Sequence, residues 1–333
     1  MKRSIYPPIL LVAALGVSLT ACGKPVVHQS EKTEVVQKKE TGSIMQPIKP
    51  KQFGEVFLDE EYERIHAQMT KEFQQQVSSE ELKQLAHPFQ EGITGYTLQA
   101  DVPIGNGYQQ YLWLDQSGTK GLSAIFNQQQ KINGLKIMPL KAFPQTDQAF
   151  TKNVFTPPVK QDWFVFWGGT NELFNYHYEQ ENQRYAYDLV IMKDGKTYQG
   201  DPSKNESYYA YGQEVSAAAD GKVVKVENKI PDNVPVGTTN KTELLGNHVI
   251  IDHGNGEYSV TAHLKTGSLK VKVGDKVKRG EIIGLCGNSG NSSEAHIHFQ
   301  VSNSPEVMNN KSIRIKWEGN ANPIRGEYMK KGS

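Results

Sequence analysis

Cysteine is nearly missing: only Cys22 and Cys286 occur in a chain of 333 residues. That excludes a scaffold built on disulfides. An excess of charge of either sign is missing too, with 37 Lys and Arg against 36 acidic residues and a net charge of +1. Nucleic-acid capture needs a local surplus of basic groups, so no nucleic-acid partner is expected. What is present is core-building material, 37% hydrophobic residues with 12 Phe, 15 Tyr and 4 Trp. This excludes wholesale disorder, and the length predicts two domains rather than one.

The N-terminus reads as an address. Met1-Lys2-Arg3 is a positive head, and an apolar run follows from Ile9 to Leu19. That run is short of the roughly 20 residues that a spanning helix needs, so it suits the apolar region of an export signal. It ends in Leu19-Thr20-Ala21-Cys22, which resembles a bacterial lipobox. Residues 1–22 are therefore expected to be a lipoprotein signal peptide, with Cys22 lipidated. The chain would then be exported and lipid-anchored to the outer face of the bacterial cell membrane. Cys286 would remain as the lone thiol, with no intrachain disulfide.

Residues 23–52 are rich in Lys, Gln, Glu and Thr without apolar periodicity and read as a flexible tether. From Val56 to about Leu85 the spacing predicts helix, with Phe57, Tyr62, Ile65, Met69, Phe73 and Val77 on one stripe. Ser78-Ser79-Glu80-Glu81 resembles a capping start for a second, short helix. Four alternating segments follow, Tyr96–Ala100, Tyr108–Leu114, Gly121–Phe126 and Ile132–Ile137, separated by glycine turns. Residues 53–143 are thus expected to form an α+β domain, helices packed on an antiparallel meander. It resembles NTF2-like or cystatin-like accessory domains. His66 and His87 lack partners there and read as structural. Residues 144–160, with Pro144, Pro157 and Pro158, read as a linker. Residues 161–333 carry short strands and glycine turns, an all-β pattern.

The chemistry concentrates in that last part. Ala295-His296-Ile297-His298-Phe299-Gln300-Val301 alternates as a strand and puts two imidazoles on one face. Val260-Thr261-Ala262-His263-Leu264 is a second such strand with a histidine. Tyr185-Ala186-Tyr187-Asp188-Leu189-Val190 is a hydrophobic strand with one carboxylate. Such a charge needs a strong partner, and a metal cation would supply one.

With these residues the chain resembles the lysostaphin-like or LytM-type zinc metalloendopeptidases, the twenty-third metallopeptidase family. Further matching segments are Tyr211–Val224, Gly246-Asn247-His248 through His253-Gly254, Gly274–Gly284 and Gly287-Asn288-Ser289-Gly290. The resemblance implies antiparallel sheets of the duplicated-hybrid-motif kind over 161–333, and one zinc ion per chain. Asp188 and His298 would ligate the zinc, while His263 and His296 would stand at the attacking water. His248 and His253 have no ligand role in the family and read as structural. One position departs from the pattern. The family's first ligand stands in H-x-x-x-D, and here that place is Arg184, which cannot ligate zinc. His177, eleven positions before Asp188, is the nearest candidate, provided that Glu179–Gln183 is a loop folding it back. The implied function is hydrolysis of peptide cross-links or stem peptides of peptidoglycan. The other reading is an inactive LytM-like module that binds wall or regulates other wall hydrolases.

The address is directly testable. Cells fed a clickable fatty acid should label the chain, and Cys22→Ala should remove the label and release the protein from the membrane. Persistent labelling of Cys22→Ala would exclude the lipobox.

Overall fold

The computed structural model describes residues 46–331 except residue 308. The expected signal peptide, Cys22 and most of the 23–52 tether lie outside the described residues. The described chain is mostly antiparallel β-structure with few helices.

Among the described residues a 3-10 turn at Pro50–Gln52 leads into four α-helices: α1 (Phe53–Leu58), α2 (Tyr62–Gln68), α3 (Lys71–Gln74) and α4 (Ser79–Gln90). The apolar stripe expected from Phe57 to Val77 is buried throughout, but it does not lie on one helix. The chain breaks at Glu60, whose φ is 57°. It breaks again at Met69–Thr70, where the Thr70 amide donates to the Ile132 carbonyl at 2.9 Å and the Thr70 side chain caps α3. Helical spacing survives the breaks because each short helix points the same face at one sheet. The helix expected to be short, α4, has 12 residues, and its start is a full capping box between Ser78 and Glu81.

That sheet is the meander β1 (Tyr96–Pro103), β2 (Gln109–Asp115), β3 (Lys120–Phe126) and β4 (Ile132–Pro139), in sequential order. Alternation along β2 sends Tyr111 and Trp113 under the helices and Leu112 and Leu114 to the other face. The second face is not open to water. Val102, Leu112 and Met138 pack on Phe164, Leu173, Phe174 and Val190 from the later half of the chain.

Helix α5 (Pro144–Asp147) and strand β5 (Phe150–Phe155) follow. Residues 144–160, expected to be a linker, therefore contain a strand of the main sheet, because β5 pairs in parallel with a strand at Ser312–Trp317. A strand whose partner lies so far along the chain has no local turn signal to announce it. The remaining strands are β6 (Trp163–Trp167), β7 (Tyr187–Val190), β8 (Glu214–Ser216), β9 (Gly221–Glu227), β10 (Asn247–Asp252) and β11 (Tyr258–Leu264). Then come β12 (Lys276–Val277), β13 (Ile282–Leu285), β14 (Ile297–Ser302), β15 (Ser312–Trp317) and β16 (Tyr328–Met329). The large sheet runs β12-β9-β10-β11-β14-β7-β6-β16, with β15 joining β14 to β5, while β13 and β8 form a small separate pair. Its central strands are buried on both faces, and β7 and β14 are buried at every position.

Glu257 is the polar tie between β5 and this sheet. Its buried carboxylate accepts from the backbone amides of Lys152 and Asn153 and from the Asn153 side chain at 2.8 Å. Glu257→Ala strands those donors and should cost about 1.5–3 kcal/mol. The loss should register as a lower urea midpoint with an unchanged slope.

Candidate metal centre

Register on the central strands assembles the site. In the β7–β14 ladder Asp188 lies directly opposite His298, and in the β11–β14 ladder His298 lies opposite Ala262, next to His263. His296 enters from the residue before β14. His177 sits on a short 3-10 turn, Tyr176–Glu179, and a succession of turns from Gln180 to Ala186 returns the chain to β7. The structure thus brings His177, Asp188, His263, His296 and His298 together. Ligand atoms of His177, Asp188 and His298 all lie within 4.8 Å of one another, and all three residues are buried. His298 Nδ1 is 3.0 Å from Asp188 Oδ1, His177 Nε2 is 3.7 Å from Oδ2, and His296 Nε2 is 3.8 Å from Oδ1. The His263 ring centroid lies 4.7 Å from that of His296 and 5.9 Å from that of His298.

Each imidazole is held from behind by an oxygen that can only accept. His263 Nδ1 donates to the Ser289 carbonyl at 2.8 Å, and His296 Nδ1 to the Glu294 carbonyl at 2.9 Å. His177 Nδ1 donates to Asn175 Oδ1 at 2.9 Å. The Asn175 amide nitrogen is spent on the carbonyls of Gly169, Arg184 and Ala186, which leaves its oxygen as the acceptor. His298 Nε2 donates to Gln300 Oε1 at 3.0 Å, and the Gln300 nitrogen is in turn spent on the Asn182 carbonyl and Ser302. The rear bonds put the protons on Nδ1 of His177, His263 and His296 and on Nε2 of His298. The opposite nitrogens turn toward the cluster, that of His298 onto Asp188 Oδ1 at 3.0 Å, as is usual for metal-binding histidines held by outer partners.

The electrostatics follow from burial and crowding. Burial opposes ionisation of Asp188, but His177, His298 and His296 outweigh it and hold the carboxyl well below the usual carboxylate range. Burial draws His177 down to about 4 against the pull of Asp188. It also takes His263 well below the ordinary histidine value, helped by His296 and His298. In His298 burial is overcome by the contacts with Asp188 and Gln300, so its pKa is raised. Two imidazoles and a carboxylate with fixed tautomers are a donor set that suits zinc and leaves a coordination position free.

Glycine turns supply the support for His263, which itself has a φ of 63° at the end of β11. Gly246 and Gly290 both have positive φ and touch backbone to backbone; a Cβ on Gly290 would lie 2.3 Å from the Gly246 nitrogen. Gly287 is as tight, with a Cβ placed 2.4 Å from the Lys265 backbone. The Ser289 carbonyl that holds His263 projects from this stack.

The other residues singled out in the sequence fall elsewhere. Arg184 points away from the cluster: its guanidinium stacks 3.5 Å from the Phe143 ring centroid, and its Nε donates to the Tyr178 carbonyl. His253 is bonded at both nitrogens, to the Asp220 carbonyl and Ser259, and His248 donates to the Gly246 carbonyl. His66 and His87 are tied to the Val77 carbonyl and Glu60. Asn175 and Gln300 went unnoticed in the sequence, although each stands two positions from a site histidine, Gln300 on the same strand face as His298.

A cleft of about 310 Å³ opens beside the cluster, with Trp167, Tyr176, Asp188, Val190, Glu294 and His296 in its wall. Tyr176 leans on Asp188 through its hydroxyl at 3.4 Å.

Residues 207–313 match the model of peptidase family M23. The chain carries a peptidase family M23 domain. The matched stretch contains His263, His296 and His298 and begins after His177 and Asp188. Among curated relatives, peptidoglycan DD-endopeptidase ShyA of Vibrio cholerae is 41% identical over 70 residues, 21% of this chain and 16% of that protein. Endolysin 2638A of a Staphylococcus phage is 33% identical over 125 residues, 33% of this chain and 26% of that protein. This chain therefore aligns with about a quarter or less of the length of these relatives. Among solved structures, the antimicrobial peptidase lysostaphin from Staphylococcus simulans is 22% identical with a TM-score of 0.28, covering 46% of this chain and 47% of that one. M23 peptidases are zinc metalloenzymes, and the cluster of His177, Asp188 and His298 is a possible metal-binding triad of that kind.

If the rear bonds matter, Gln300→Ala should weaken metal binding about 10- to 100-fold while leaving the fold intact. Competition with a chromophoric chelator measures it, and unchanged affinity would show that Gln300 contributes only packing.

Proposed function

We propose that this chain is a zinc-dependent endopeptidase acting on peptide cross-links or stem peptides of bacterial peptidoglycan. The observation that carries the reading is the convergence of four rear-tethered imidazoles on one buried carboxylate at the wall of an open cleft. His177, Asp188 and His298 would hold one zinc ion, His177 taking over from the usual ligand position now filled by Arg184. When bound, the ion polarises a peptide carbonyl and lowers the pKa of water toward about 7.

The chain's own residues do the rest. His263 is kept neutral at physiological pH by burial, so its free nitrogen can accept a proton from the attacking water. His296, at the edge of the cleft, is placed to orient that water, and the proton that His263 accepts would pass on to the departing amine. Trp167 and Tyr176 form an aromatic wall against which an extended peptide can lie. The relatives' names, a peptidoglycan DD-endopeptidase among them, support wall peptide as the substrate class. In this reading residues 53–143 are an accessory domain, 161–333 the peptidase domain, and a lipid on Cys22 holds both at the outer face of the membrane within reach of the wall.

A second reading, an inactive module that binds wall or regulates other hydrolases, draws on Arg184 at the place of the family's first ligand.

Metal analysis of five purified variants separates them. His177→Ala, Asp188→Ala and His298→Ala should each lose zinc, because two remaining ligands hold the ion weakly. His263→Ala and His296→Ala should keep zinc and lose about 100-fold or more in peptide hydrolysis. Zinc retention by His177→Ala would remove it from the ligand set, and a parent without zinc would favour the binding module.

A further inference from the structure

The cleft holds two carboxylates, and the metal centre accounts for one. Asp188 is enclosed by histidines. Glu294 has only His296 for such company. It lies mostly buried in the cleft wall, two positions before His296. One of its oxygens accepts from the Thr197 hydroxyl at 3.1 Å. The other has no hydrogen-bond partner among the described residues, and no lysine or arginine there lies within ion-pair distance of the carboxylate. Burial raises its pKa, and the Thr197 bond and His296 offset this only in part. Lysine and arginine are also missing from the residues that line the cleft. The cleft therefore presents a largely buried carboxylate with one oxygen unspent and no lysine or arginine to pair with it. A carboxylate in that position gains most from a donor that is itself charged.

We propose that Glu294 is a specificity-determining residue that binds an ammonium group of the substrate peptide, carried on a diamino-acid side chain or on a free N-terminus. The proposal rests on the endopeptidase reading for its substrate class. The same carboxylate would reject peptides that place an acid there, since two anions in a cleft of low dielectric repel. Thr197 fixes the carboxylate's orientation, and proximity to His296 sets the ammonium close to the scissile bond.

The test uses the zinc-loaded chain and three soluble wall peptides: one with all amines free, one acetylated on the side-chain amine, and one acetylated on the N-terminus. In the parent, acetylating the recognised amine should lower kcat/KM about tenfold or more, and which peptide suffers identifies the source of the ammonium. Glu294→Gln, which keeps shape and removes charge, should bring that ratio to within about twofold of one, and Glu294→Asp should retain part of the preference. Equal hydrolysis of all three peptides by the parent overturns the proposal and leaves the endopeptidase reading standing. A Glu294→Gln protein that slows every peptide by the same factor, with the ratio kept, also overturns it, because the carboxylate would then only position Thr197 and His296. If the parent cuts none of them, calorimetric binding of the same peptides decides. An amine preference that disappears in Glu294→Gln upholds the site while the endopeptidase reading fails, and absence of any preference overturns the site.

Discussion

A buried carboxylate among buried imidazoles is the constraint from which the rest of the structure follows. Asp188 sits in a strand that is buried at every position, where an unpaired charge would be costly. Its neighbours are four histidines, of which His177 and His263 are held toward the neutral form by burial while His298 is drawn toward the charged form by Asp188 itself. The arrangement holds only because each ring is fixed from behind and each fixing group is fixed in turn. Asn175 and Gln300 spend every amide hydrogen on keeping one oxygen aimed at a histidine. A donor set built this way would be organised before any cation arrived, so little ordering cost would remain to be met on binding.

The glycine turns extend the same logic one layer outward. His263 carries a left-handed backbone, a conformation that needs outside support in a residue with a side chain. Gly246, Gly287 and Gly290 give that support by letting three backbone segments approach more closely than any Cβ permits. The fully buried Asn247 then locks the neighbouring loop by exchanging hydrogen bonds with both backbone groups of Ile230. Stiffness at the end of β11 is bought with residues that have no chemistry of their own.

The helices and meander are not remote from this machinery. Arg325, buried and lowered in pKa to about 9 by burial, donates to Gln110 of β2 and lies 3.7 Å from the Trp167 ring centroid. Trp167 in turn packs edge-on to Tyr176, which leans on Asp188. A continuous line of contacts thus joins the second face of the meander to the wall of the cleft, and β5 ties the segment between them into the main sheet.

Local pattern in the sequence was enough for the alternating strands that carry His263, Asp188 and His298, for the Ser78 capping box and for the glycine turns. All of these repeat over two to four residues, and the side-chain period of a strand or the first turn of a helix is itself that short. The stripe from Phe57 to Val77 was legible as a buried face, yet not as separate helices, because the breaks depend on Thr70 finding Ile132 in β4. Strand β5 was invisible for the same reason, its partner being β15. Arg184 could be excluded as a ligand from its chemistry alone. That His177 comes back to within reach of Asp188 was decided by tertiary structure: the polar loop between them has no periodic signal, and its closure depends on Asn175 binding the carbonyls of Arg184 and Ala186.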